Sequence, residues 1–391
     1  MSQSNHKLKF YSFAVMKKVY LDNAATTQIR AEVIAEMVRI MEQEYGNPSS
    51  IHSFGRGAKN SMELSRKAIA KQLNAAAQEI IFTSGATEAN NLILRKAVED
   101  LKVRRIITSR IEHHAVLHTV EALQREFNIA VYYVKILKNG QVDTSDLVNL
   151  LSEDDNLTLV SLMHVNNETG VILDLDKISR ICKQHQAYFH SDTVQSIGKL
   201  AVNLQELPVD FIVASAHKFH GPKGIGFAFI RKGIGFNPMF YGGEQEKGLR
   251  PGTEAVHNIV GMAKALELSY LNLETERSNI QDLKNYTMEQ LAIAFPDVAV
   301  NGNVTETFYT ILNVRLPFTP DKTAMILFHL DMKGIAVSRG SACQSGSTRP
   351  SHVLAEILSD DELKIPSLRI SFSHYNTMED IDVLVEALKK I

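Results

Sequence analysis

The sequence predicts an α/β protein, a large domain with a mostly parallel sheet flanked by helices, followed by a smaller α+β unit. Three observations carry this. Between about residues 30 and 265, short apolar runs alternate with amphipathic segments of helical period, the pattern of strands joined by helical crossovers. The runs EIIFTS, RRIITS, TLVSLMHV, AYFHSD and DFIVASA are apolar almost throughout, as strands covered on both faces must be. Beyond residue 265 the order changes to a long helical stretch, three strand-like runs and a terminal helix.

Taken in order, the first fifteen residues, MSQSNHKLKFYSFAV, have neither a long apolar core nor a small-residue cleavage site, so they predict a flexible leader rather than a signal peptide. Regular patterning starts at MKKVYLDNAATT. Val33, Ile34, Met37, Ile40 and Met41 recur at helical spacing and stop at Gly46. The stretch LDKISRICKQHQ places Ile178, Ile181 and Cys182 on one helical face, so Cys182 is expected in a core. A charged helical stretch runs from about Lys264 to Phe295; ILNVRL, IAVSRG and SLRISFS then predict strands, and MEDIDVLVEALKKI a helix. The expected domains are residues 27–264 for the large one, with 16–26 and 265–391 forming the small one after a leader of 1–15.

Composition narrows the function classes. A hydrophobic fraction of 45%, a charged fraction of 22% and a net charge of −2 argue against a nucleic-acid or anionic-membrane binder. No apolar run approaches the roughly 18 residues of a membrane span. With two cysteines there is no disulfide framework and no cysteine-based zinc cluster, and a cytoplasmic location is expected.

Ligands of open α/β sheets bind beyond the carboxyl ends of the strands. Here TLVSLMHV runs into NNETG, AYFHS into DTVQS, and DFIVASA into HKFHGPKG, which offers Asn167, Asp192, Gln195, Ser215, His217 and Lys218 at one end of a sheet. EIIFTS opens through Gly85 into the helix of ATEANNLIL, whose unpaired N–H groups and Thr87 hydroxyl suit a phosphate, although a plain turn with a capping threonine has the same sequence. GRGAKN is only part of a dinucleotide fingerprint, and GPKGIG lacks the end of a P-loop, so the phosphate is not expected on NAD or ATP. Lys218, just after a buried strand, is placed to form a Schiff base; the alternative is a surface lysine, as expected for Lys223. Asp192 suits a pyridinium nitrogen. Together these match the needs of pyridoxal 5'-phosphate.

His113, His114 and His118 carry no HExxH motif and no further ligand at metal spacing, so no metal site is expected. His113, at the start of a helix, presents a flat ring that can stack on a cofactor. In SRGSACQSGS, Cys343 sits among two glycines and four serines. That is either a chance cysteine in a turn or a thiol placed to move.

The motifs YLDNAATT, GNPSSIHSFGR, FTSGATEANNL, EHHAV, HVNNETG, DTVQSIGK, SAHKFHGPKGIG, RPGTE and GSAC make residues 16–391 resemble the cysteine desulfurases of the NifS/IscS kind, which are fold-type I pyridoxal-phosphate enzymes. The resemblance implies that Lys218 carries the cofactor, Asp192 holds its ring nitrogen, His113 stacks on the ring, and Asn167 and Gln195 lie near cofactor and substrate. It places Ala86, Thr87, Ser215 and His217 on the phosphate side, with Thr253 reaching the cofactor of the other subunit in a homodimer. Arg369 would clamp the substrate carboxylate; without the family it reads as a strand-edge arginine in a surface ion pair. The implied reaction converts L-cysteine to L-alanine and leaves a persulfide on Cys343, whose sulfur passes to a sulfur-acceptor or iron–sulfur scaffold protein, for cluster assembly or tRNA thiolation. The GSAC form, rather than RxGHHC, implies the long-loop group. Arg339 and Glu244 depart from the family pattern, where small residues are usual. Selenocysteine lyase or another pyridoxal-phosphate lyase or aminotransferase shares the fold, and a non-catalytic sulfur-transfer scaffold is a third reading; intact Lys218, Asp192, Cys343 and Arg369 speak against that last one.

Overall fold

The computed structural model describes residues 17–303, 307–340 and 351–391. The leader of 1–15 and Cys343 lie outside these. From the N-terminus the elements are β1 (Val19–Tyr20), α1 (Ala31–Gln43), α2 (Ser53–Gln72), β2 (Ile80–Thr83), α3 (Ala86–Glu99), β3 (Arg105–Thr108), α4 (His114–Phe127), β4 (Ala130–Tyr133), α5 (Thr144–Ser152), β5 (Thr158–Ser161), α6 (Leu175–Gln184), β6 (Tyr188–Asp192), β7 (Phe211–Ser215) and β8 (Gly226–Ile230). They continue as α7 (Val256–Leu271), α8 (Leu273–Ala294), β9 (Ala299–Val300), β10 (Ile311–Arg315), α9 (Ile326–Asp331), β11 (Ile335–Ala336), α10 (His352–Ala355), α11 (Asp360–Lys364), β12 (Ser367–Ser371) and α12 (Met378–Leu388).

Seven strands form the main sheet in the order β2-β8-β7-β6-β5-β3-β4. All run the same way except β8, which is antiparallel to both β7 and β2. Successive side chains of a strand point to opposite faces, and each face has its own core. Phe82, Ile107, Val160, Phe189 and Ile212 face one core with α2, α6 and α7, where Cys182 is buried as expected. Ile81, Ile106, Leu159, Phe211 and Val213 face the other with α3 and α4.

Two strands, β4 and β8, escape the sequence pattern. Edge strand β4, the short run AVYY, is only half-buried, and β8 starts at the last glycine of the GPKGIG turn. Gly226 opens β8 because a Cβ there would strike the Ala214 carbonyl oxygen and lie 2.8 Å from Gly85 Cα. Gly226→Ala is therefore expected to destabilise the protein by about 1–3 kcal/mol, the usual range for overpacking, read as a lower midpoint in thermal unfolding.

The stretch read as one helix from about Lys264 is two. The Asn272 side chain donates to the Leu268 carbonyl at 2.8 Å and ends α7 before α8 begins. Ile259, Met262 and Leu266 of α7 belong to a core of the main sheet, whereas Ile280, Leu283 and Leu291 of α8 join a separate core with β10, β12 and α12. That second unit contains the antiparallel sheet β12-β10-β9 and the parallel pair β1-β11. IAVSRG forms only the two residues of β11, after which Ser338 bridges Arg369. In α1, Val33 and Ile40 are buried but Ile34 and Met41 are exposed, so the apolar stripe exceeds what this chain's own core covers. No helix among the described residues is long and apolar enough to cross a membrane.

Candidate active site

A cavity of about 470 Å³ opens beyond the carboxyl ends of β5, β6 and β7. Ala86, Thr87, His113, Asn167, Asp192, Gln195, Ser215, His217, Lys218 and Arg369 all line it.

Lys218 sits in the single tight turn that follows β7. Its Nζ donates to the carbonyls of Ala24 and Ala25 at 2.7 and 2.9 Å. These acceptors come from the segment after β1, which Leu21 and Asn23 tie to the second unit through Ala336 and Ser371. The same segment meets the turn again where Thr27 donates to the His217 carbonyl, from its backbone and its hydroxyl alike, at 2.9 Å.

Asp192 ends β6, with one carboxylate oxygen accepting from Asn90 Nδ2 at 2.9 Å and the other from the Val194 N–H at 3.1 Å. Asn90 lies fully buried in α3. His113 caps α4, its Nδ1 accepting from the Ala115 N–H at 3.1 Å, so in the neutral ring Nε2 carries the hydrogen. Burial lowers its pKa, the nearby Asp192 opposes this, and Lys218 adds to it. His217 is pushed down to about 4, by burial first and then by Lys218, Lys223 and Lys199, and its Nδ1 lies 3.1 Å from Thr26 Oγ1. Both rings are neutral at pH 7.

At the opposite wall, Ala86 and Thr87 begin α3 after Gly85, whose φ of +153° is open to glycine but costly for other residues. A Cβ on Gly85 would lie 3.5 Å from Ser215 Oγ. A cradle of helix N–H groups and hydroxyls, with no side chain in the way, is the chemistry that binds a phosphate.

Arg369 lies on β12 and is only 1% exposed. Its Nη1 donates to the Asn167 carbonyl at 2.9 Å and its Nη2 to Asp22 at 2.8 Å, while Nε has no partner. It is thus in an ion pair at a strand edge, but a buried one facing the cavity. Gln195 Nε2 donates to the Ala24 carbonyl at 3.0 Å, and its Oε1 is buried without a partner. With Asn90 Oδ1, also buried without a partner, three orphaned polar atoms on residues of one cavity mark a place for a polar ligand. A lysine amine, a carboxylate, a neutral flat ring and an anion cradle around that cavity fit pyridoxal phosphate.

Other expected residues lie elsewhere. Thr253 is exposed and does not line the cavity. Lys223 is exposed at the cavity mouth. His114 and His118 stack on each other with centroids 4.9 Å apart, away from the cavity, and no group of three or more His, Cys, Asp or Glu among the described residues is arranged to hold a metal. The sequence pattern misses Asn90, Asp22 and the Ala24 and Ala25 carbonyls. The residues of FTSGATEANNL and YLDNAATT contain them, but nothing in their local spacing says what they touch.

The model of the aminotransferase class-V family matches residues 19–384. The cysteine desulfurase IscS of Dictyoglomus turgidum is 41% identical over 377 residues, 96% of this chain and 94% of the relative. A putative cysteine desulfurase IscS 1 of Bacillus subtilis is 40% identical, covering 94% of this chain and 96% of its own. Among solved structures, a NifS-like protein superposes with a TM-score of 0.88 at 36% identity, covering 96% of this chain and 99% of that one.

Proposed function

The chain belongs to the class-V aminotransferase family and, within it, to the cysteine desulfurases, and from that premise we propose that it uses pyridoxal phosphate to convert L-cysteine to L-alanine, passing the sulfur through Cys343 to an acceptor protein. One observation supports this above the others: the Lys218 amine, the Asp192 carboxylate, the start of α3 and the buried guanidinium of Arg369 face a single cavity.

Lys218 would hold the cofactor, Asp192 its ring nitrogen, His113 its face, and Ala86, Thr87, Ser215 and His217 its phosphate side. Bound there, the cofactor supplies an electron sink for the substrate carbons. The remaining work belongs to the chain. Arg369 has Nε–H and one hydrogen on each terminal nitrogen left for the α-carboxylate, enough for a bidentate grip. Asn167, whose carbonyl steadies that guanidinium, and Gln195 stand beside the substrate. Once the substrate amine has taken its place, the Lys218 amine removes the Cα proton and returns one on the way to alanine, with the carbonyls of Ala24 and Ala25 receiving its hydrogens. The Cys343 thiolate attacks the substrate sulfur: the S–S bond forms, the C–S bond breaks, and the electron pair stays with the carbon, which takes up from solvent a proton matching the one Cys343 gave up on ionising and becomes the alanine methyl group.

A homodimer, with Thr253 reaching the other subunit's cofactor, is part of this proposal. Ile34, Val38, Met41 and Tyr45 are exposed at helical spacing along α1 and its end, and Phe54 extends the patch from Tyr45 at a ring distance of 5.5 Å. An apolar face of this kind suits a second copy of the chain.

The test is to incubate the protein with pyridoxal phosphate and L-cysteine, then measure alanine and the mass of the Cys343 peptide. Without a reductant, one equivalent of added sulfur on that peptide and about one of alanine are expected; an added thiol reductant, which takes the sulfur as sulfide, should give steady alanine formation. Cys343→Ser should keep the cofactor absorbance and lose alanine formation; full turnover by that variant would remove Cys343 from the mechanism.

A further inference from the structure

The chain leaves the described residues at Gly340 and re-enters at Ser351, and both of these lie against the carboxylate of Glu168. The Ser351 hydroxyl donates to Glu168 Oε2 at 2.5 Å. A Cβ at Gly340 would stand 3.2 Å from the same oxygen. Glu168 has no solvent exposure, and a carboxylate buried this way is costly unless hydrogen bonds hold it. Its backbone is equally fixed: its N–H donates to Asn166 Oδ1 at 2.9 Å, and its carbonyl accepts from Asn313 Nδ2 at 3.0 Å.

Glu168 is also one peptide unit from the substrate side of the cavity. The preceding residue, Asn167, lines the cavity and accepts from Arg369 Nη1 at 2.9 Å. On the entering side, Ser338 exchanges backbone hydrogen bonds with Arg369 at 3.2 and 2.6 Å. On the leaving side, the Ser351 hydroxyl caps α10 through the N–H groups of Val353 and Leu354, and His352 Nε2 donates at 2.9 Å to the carbonyl of Glu112, the neighbour of His113.

We propose that Glu168 is the positioning residue of the sulfur-transfer step: its carboxylate fastens Ser351, where the chain returns from the segment that carries Cys343, to the Asn167–Arg369 unit that grips the substrate, while Ser338 ties the entering side to Arg369 directly. This rests on the reading of Cys343 as the sulfur carrier. Glu168 touches no reacting atom. It fixes where the chain that follows Cys343 is held relative to the substrate carboxylate, and a looser hold lowers the rate of a step that depends on reach without weakening substrate binding.

Glu168→Gln and Ser351→Ala test this separately, the second leaving Glu168 itself intact. A hydrogen bond to a charged group accounts for about a tenfold to hundredfold effect, so kcat for alanine formation is expected to fall by about that factor in both variants, with KM for L-cysteine and the cofactor absorbance within about twofold. Independently of turnover, amide hydrogen exchange in a peptide spanning residues 351–355 should accelerate about tenfold or more in both. Unchanged exchange in both variants would overturn the anchor, and accelerated exchange with unchanged kcat would overturn its role in the sulfur step. Failure of the Cys343 reading shows itself differently, as full alanine formation by Cys343→Ser with no change at Glu168, and it would take the proposal with it.

Discussion

Lys218→Ala is expected to abolish alanine formation, a loss of about a thousandfold or more, because one amine both holds the cofactor and moves the Cα proton, and acid–base work alone is worth about 10²–10⁴-fold. The fold should survive. The variant removes a part-buried amine and leaves the Ala24 and Ala25 carbonyls to be satisfied by water entering a cavity of about 470 Å³. Reducing the cofactor onto wild-type protein and locating it by peptide mass separates Lys218 from its neighbours. Lys199 is buried nearby, its pKa pushed down to about 7 by burial and by the charge of Lys218, and Lys223 lies at the cavity mouth. The label is expected on Lys218; finding it on Lys199 or Lys223 would overturn the assignment.

Arg369→Lys is expected to raise KM for L-cysteine by about tenfold to hundredfold, the value of a charge-assisted bidentate contact replaced by a point charge. Lysine preserves a cation next to Asp22, which matters because stripping a buried pair of one partner costs about 3–5 kcal/mol. Leucine would therefore confuse substrate binding with stability. Asp22→Asn sharpens the result: it loosens the existing ion pair while leaving Arg369, so KM should stay level or fall. Steady-state kinetics and thermal unfolding of both variants check this, and an unchanged KM in Arg369→Lys would mean that another group takes the carboxylate.

Much of this was legible in the chain because two kinds of signal are local. A strand buried on both faces must be apolar at every position, so the runs around Ile81, Ile106, Leu159, Phe189 and Val213 announced the central sheet. Polar residues immediately after such a run stand where ligands bind, so Asn167, Asp192, His217 and Lys218 could be picked out before any contact was known. Edge strand β4 is weaker in this respect, being short and only half-buried on its two faces, where Val131 and Tyr132 touch opposite cores. The break between α7 and α8 was hidden too, since Asn272 acts through a hydrogen bond to Leu268 that a helical period does not reveal.

By itself, then, the sequence determined the α/β class, the residue types at the strand ends and the order of motifs that identifies the family, since each depends on neighbours a few positions apart. Only the tertiary structure decided how those residues are held. Asn90 on Asp192, Ala24 and Ala25 on Lys218, Asp22 on Arg369 and Glu168 on Ser351 are pairings across 102 to 347 residues. No periodicity links such positions. Those of Asp22, Ala24 and Ala25 form because the segment after β1 crosses from the second unit to the ends of the main sheet, and all of them depend on where two atoms finish in space rather than on their separation along the chain.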